Sequence, residues 1–193
     1  VSILKELCES LSDDYQNIEY AAEKNFGSRK APTSNVIQNI FATLKFRIIS
    51  QKEDDWIAIF NHYNLWMWHF LLLFTAARPV AEFPGFLKSF NLKRKICMVS
   101  DKEVGGRQGY GRLIPLGHFV VQELQKFIDF LHYFKTQIAP SQPEIPQHIQ
   151  QILESKLPLL NIFQDGQWYP LRPSIIKKSN PELSLLHENW HRH

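Results

Sequence analysis

Between Leu65 and Ala77 the chain reads LWMWHFLLLFTAA, an apolar run of about 13 residues interrupted by His69. A membrane span needs about 20 such residues. The run is too short for that and too apolar for a surface helix, so it predicts a buried helix at the centre of a core. No signal peptide is visible. Arg78 comes directly after it, which sets a guanidinium at the rim of that core.

The rest of the chain supplies what such a helix packs against. With 193 residues, one domain, or one domain plus a small extension, is expected. Hydrophobic residues make up 44% and aromatics 13%, too much for a disordered chain. The formal net charge is +3, which permits nucleic-acid binding and equally suits an ordinary protein. Cys8 and Cys97 stand far apart without metal-type spacing. They fit a reducing compartment rather than a disulfide scaffold.

Residues 1–25 have helical character, with Leu4, Leu7, Cys8 and Leu11 on one face. A Gly, Pro and Ser-rich loop, Asn25–Ser34, separates them from the remainder of the chain. Residues 1–33 therefore form an N-terminal helical segment, either the end of a preceding domain or part of this one. Ser34 or Asn35 caps a second helix through Ile49, with Val36, Ile37, Ile40, Phe41, Leu44 and Ile48 on its apolar face. Asp54 and Asp55 open the helix that carries the apolar run to about Ala77. Phe83–Phe90 reads as a short connection. Lys95–Val99 and Arg112–Leu116 read as two strands around a turn holding Gly105, Gly106, Gly109 and Gly111. An amphipathic helix spans His118–Phe134, with Val120, Val121, Leu124, Phe127, Ile128 and Leu131 inward. Residues 139–147 form a proline-rich loop, and Ile149–Leu153 a helical turn or two. Leu159–Pro170 is a hairpin around Asp165-Gly166, and Pro173–Lys178 starts another helix. The fold class is mainly α with a small antiparallel β-sheet (α+β).

Three short constellations carry chemistry, each with an ordinary alternative. Arg78 caps a helix C-terminus or holds an anion. Lys102, in SDKEVGGRQGYGR, is a solvated turn lysine or a cation at the mouth of a mobile hairpin. Arg107 and Arg112 add charge to that hairpin, and Tyr110 either stacks on a base or packs. Two fixed cations converging on one point suggest a phosphate. The terminal HENWHRH sets His187 and His191 at i, i+4, a metal-capable spacing without an HExxH motif. There is no G-x-S-x-G elbow and no Walker or GxGxxG loop.

In order and separation, TAAR (Thr75–Arg78), DK with RLIPL (Asp101, Lys102, Arg112–Leu116) and NWHRH (Asn189–His193) resemble the boxes of tyrosine recombinases, the phage-integrase family of DNA strand-exchange enzymes. The resemblance covers roughly residues 40–193. It implies a tyrosine-recombinase catalytic-domain-like fold over residues 34–193, incomplete at the C-terminus. It implies site-specific recombination or integration on behalf of a mobile genetic element. Arg78 and Arg192 would clamp the scissile phosphate, and Lys102 would protonate the 5′-oxygen leaving group. Asn189 stands at a histidine position of the third box, with His191 two residues on. Arg107, Tyr110, Arg112 and His193 would contact DNA.

The resemblance further implies double-stranded DNA as partner, a homo-oligomer that is a tetramer on DNA, no membrane, and a bacterial cytoplasmic, nucleoid-associated setting. No cofactor and no metal are expected. Two other positions depart from the family pattern. Ala76 or Ala77 replaces a glycine, and the glutamate after the first arginine comes one residue late, as Glu82. The family's tyrosine nucleophile lies downstream of the third box, and none of the six tyrosines here occupies that place. The expectation is a fragment of a longer active protein, itself without the nucleophile. A catalytically inactive recombinase-like module that binds DNA or protein, and an unrelated helical interaction protein, are the alternatives.

Overall fold

The computed structural model describes residues 34–75, 83–99 and 111–179. They form a mainly helical structure with a small antiparallel sheet and a separate two-stranded hairpin, an α+β arrangement. The expected segment 1–33 and the residues after Ser179 lie outside the described residues.

Helix α1 is Ser34–Ile49. Its buried face is Ile37, Ile40, Phe41, Leu44 and Ile48, as the helical spacing predicts. Val36, expected on that face, has a side chain outside those described. Helix α2 is Trp56–Thr75. Asp55 caps it, its carboxylate accepting the Ala58 N–H at 3.1 Å.

The central helix is buried on nearly every side from Ile59 to Leu72, because α1, the helix His118–Ile138 and the strand Asn161–Gln164 all pack on it. Three of its buried polar side chains bond to carbonyls of the helix itself. Asn64 donates to the Phe60 carbonyl at 2.9 Å and Thr75 to that of Leu71 at 2.6 Å. His69 Nδ1 lies 2.7 Å from the Leu65 carbonyl. Each uses an acceptor one turn back, so each can be buried without losing a hydrogen bond. No described helix is long and apolar enough to cross a membrane.

A 3-10 turn, Leu87–Ser89, leads into β1 (Phe90–Asn91), which pairs antiparallel with β2 (Ile96–Val99). The sequence predicts a plain connection over Phe83–Phe90, and β1 corrects that expectation. A strand of two residues is too short to show a period. Strand β3 (Arg112–Pro115) pairs antiparallel on the other side of β2, setting Val99 opposite Arg112 and Ile96 opposite Pro115. Cys97 and Val99 point into the core, while Met98 and Leu113 face each other on the outer side, 57% and 67% exposed.

Helix α3 is His118–Ile138, a turn longer than expected. Ile138 is buried, so the apolar face simply continues past Phe134. Val121 and Ile128 are half-buried at the edge of that face, and Phe130 takes a central place. Helix α4 is Ile145–Leu153. The proline-rich loop therefore ends earlier than residue 147. Pro146 stands in the first turn of the helix, where the missing N–H costs nothing.

Strands β4 (Asn161–Gln164) and β5 (Gln167–Pro170) form the expected hairpin. Asp165 and Gly166 both have positive φ, 53° and 74°, the conformation a two-residue hairpin loop requires. Helix α5 is Pro173–Ser179. Aromatic rings join α2 to α3: Phe60 stacks on Phe134 at 4.7 Å, and Tyr63 meets Phe127 and Phe130 edge-on at 5.1 and 4.8 Å.

Candidate functional site

Of the residues that the sequence singles out for the site, Arg112 is the one among the described residues. Arg78, Lys102, Arg107, Tyr110, Asn189, His191, Arg192 and His193 lie outside them, as do His187 and Glu82. The fold does place the flanks of the two upstream boxes. Thr75, the first residue of TAAR, is buried at the described end of α2. Val99 and Arg112 are paired across β2 and β3, so the segment 100–111 begins and ends at neighbouring positions of one sheet.

Arg112 is exposed, at the end of β3 where that segment returns. It is a hairpin-rim cation, as its place in the sequence predicts. Two residues define its setting. Gly111 precedes it, and a Cβ there would lie 3.3 Å from Met98 Cγ, a tight contact that the exposed methionine side chain would have to yield. Cys97 lies behind the sheet, fully buried. Burial pushes its thiol above the usual range, and the Arg112 charge pulls the other way. A raised thiol is a poor nucleophile, so Cys97 is a packing residue here.

Two features are not apparent in the sequence. The first is the turn joining β1 to β2, NLKRK, which brings Lys93, Arg94 and Lys95 together on the surface. The Asn91 carboxamide oxygen accepts the Arg94 N–H at 2.9 Å, and the Leu92 carbonyl accepts the Lys95 N–H at 3.3 Å. The Lys95 carbonyl accepts the Leu116 N–H at 2.7 Å, which ties the turn to the residue after β3. Lys95 itself has φ 53°, an uncommon conformation for lysine. The sequence predicts a strand from Lys95, whereas β2 begins at Ile96 and Lys95 closes the turn, because pairing with β1 bends the chain there.

The second is His148 of α4, whose ring lies flat on Trp168 of β5 at 3.8 Å with an interplanar angle of 6°. Its Nε2 is buried without a hydrogen-bond partner. Desolvation lowers its pKa to about 4, so it is neutral at pH 7. A neutral histidine inside an aromatic cluster packs as a flat ring and does not recruit an anion.

Among the described residues no group of three or more His, Cys, Asp or Glu could hold a metal ion. What the described residues supply is a cluster of exposed cations on the β1–β2 turn and a further one on β3, which suits binding of a polyanion. No protein-family model, curated protein or solved structure matches the chain.

Proposed function

We infer that the chain belongs to a DNA strand-cleaving and rejoining protein that acts through a 3′-phosphotyrosyl intermediate. The observation that carries this reading is the order of TAAR, DK with RLIPL, and NWHRH along the chain. The described fold supports it. Thr75 of the first box is the buried end of the described central helix, and RLIPL of the second begins with the exposed Arg112 of β3, paired to β2.

In this reading Arg78 and Arg192 hold the non-bridging oxygens of the scissile phosphate, where bidentate guanidinium groups offset the charge that builds in the transition state. A tyrosine hydroxyl attacks phosphorus, its proton passing to His191 as general base, and forms the phosphotyrosyl ester as the bond to the 5′-oxygen breaks. Lys102 gives that oxygen its proton, a role eased by neighbouring cations that lower a lysine pKa. Asn189, as a neutral donor, orients the phosphate. Arg107, Tyr110, Arg112 and His193 contact the duplex. Assembly as a homo-oligomer on DNA belongs to the same reading.

The test uses a protein that extends past His193, where this reading places the tyrosine. Incubation with a nicked duplex that traps the covalent state should give a denaturant-stable protein–DNA adduct. Arg78→Ala and Arg192→Ala should each reduce it on the order of 100-fold or more. Undiminished adduct in either variant overturns the reading. A second reading, a recombinase-like module that binds DNA without cutting it, is favoured by Asn189 at a histidine position. It predicts duplex binding with no adduct.

A further inference from the structure

We propose that the β1–β2 turn, through Lys93, Arg94 and Lys95, is a docking point for the phosphate backbone of duplex DNA. The inference rests on the DNA reading above and assigns to it a contact that none of the three sequence boxes contains.

Three cations occupy consecutive positions at the surface, and none makes an ion pair with a described residue. Like charges this close repel one another and gain from a multivalent anion. The turn that carries them is not a loose loop. Hydrogen bonds to Asn91, Leu92 and Leu116 fix its backbone at three points, and Lys95 is held in a left-handed conformation. A fixed backbone keeps the three side chains together, so less backbone freedom is lost on binding than from a mobile tail.

The sheet sets a second cation at a defined distance. Lys95 adjoins Ile96 at one end of β2, and Arg112 is paired with Val99 at the other. Four strand residues span about 13 Å, or about four phosphate steps of one DNA strand measured along the helix axis. Lys95 and Arg112 thus mark the two ends of β2, with Arg112 on the Val99 side of the sheet and Met98 and Leu113 on the other. A lipid surface is the competing partner: the turn itself has no exposed large apolar residue, Leu92 packing on the core, but Met98 and Leu113 are exposed on the outer face of the same sheet.

The test is fluorescence anisotropy of the 193-residue chain with a labelled duplex of arbitrary sequence between about 50 and 200 mM salt. It compares the unaltered protein with the triple variant Lys93→Gln, Arg94→Gln, Lys95→Asn, asparagine being tolerant of the left-handed backbone. Circular dichroism and the thermal midpoint verify that the variant is folded. The expected result is about tenfold or greater loss of affinity, with a log K against log salt slope shallower by about 0.9 per lost contact, up to ~2.7. Equal affinity and equal slope overturn the turn's role and leave the recombination reading standing. Failure of the unaltered chain to bind any duplex overturns the turn's role, and the adduct assay on the longer protein decides the recombination reading separately. Loss of binding to phosphatidylserine-containing vesicles with duplex binding unchanged overturns the DNA assignment in favour of a lipid surface.

Discussion

The Asn61 side chain makes two 2.8 Å hydrogen bonds with the backbone of Phe163, donating to its carbonyl and accepting from its N–H. The carboxamide of a helix thereby takes the place of a neighbouring strand. One turn on, Asn64 accepts the Asn161 N–H at 3.2 Å. Two helix residues at i, i+3 meet two strand residues at i, i+2, and strand β4 is locked in register on α2. Replacing Asn61 with alanine would leave both Phe163 groups without partners. We expect a loss of about 1–3 kcal/mol in urea unfolding. Asn61→Asp should cost at least as much, because a carboxylate cannot donate to the carbonyl. An unchanged urea midpoint in either variant would refute this.

The hairpin that these asparagines hold depends on its turn. Asp165 and Gly166 lie in the left-handed region, and nothing comes within 4 Å of a Cβ built on Gly166. The cost of Gly166→Ala is therefore backbone strain alone, about 1 kcal/mol. Asp165→Asn should be neutral or slightly stabilising, since asparagine favours this conformation. Thermal melts of the two variants should move in these different directions.

Some elements are legible because their signals are local. The apolar face of α1, the Asp55 cap, the β2 and β3 strands and the Asp165-Gly166 turn each rest on residues within a few positions of one another. Strand β1 is not legible, because Phe90 and Asn91 become a strand only by pairing with Cys97 and Ile96. The start of α4 is misplaced by a sequence reading because three prolines in residues 139–147 suggest loop, although one of them suits a first helical turn. The same limit applies to the site. Arg112 is recognisable as a hairpin-rim cation from its neighbours, and the structure places it there. The Lys93–Lys95 cluster, by contrast, needs β1 to become a rigid turn. Pairings between distant segments, such as Asn61 with Phe163 or His148 with Trp168, leave no periodic trace in a single sequence.

Cys97 offers a probe of the sheet beside Arg112. It is fully buried and its thiol is raised by desolvation, so it should be nearly inert to an aromatic disulfide reagent at about pH 8 in the native state. In a Cys8→Ser background the reaction should track unfolding and accelerate sharply in urea. Rapid labelling without denaturant would mean that β2 opens readily. Such opening would undermine the claim that Arg112 stands on a fixed strand.

His148 makes stability depend on pH in a defined direction. Its folded pKa of about 4 lies below the ordinary value of 6.5, so between these values the unfolded chain binds the proton more readily. Stability from this residue is fully present above about pH 6.5, falls as pH drops toward 4, and then levels off. The ring is half-buried, and a proton placed over the Trp168 face regains part of the loss through a cation–π contact. Discounted for solvent screening, the effect is on the order of 1 kcal/mol. In His148→Phe the flat ring on Trp168 is retained and the titration is removed. The difference in urea stability between this variant and the unaltered protein should therefore grow in the variant's favour from about pH 7 to about pH 4.5. A constant difference across that range would mean that the histidine reaches solvent and that its stack on Trp168 opens on protonation at no cost.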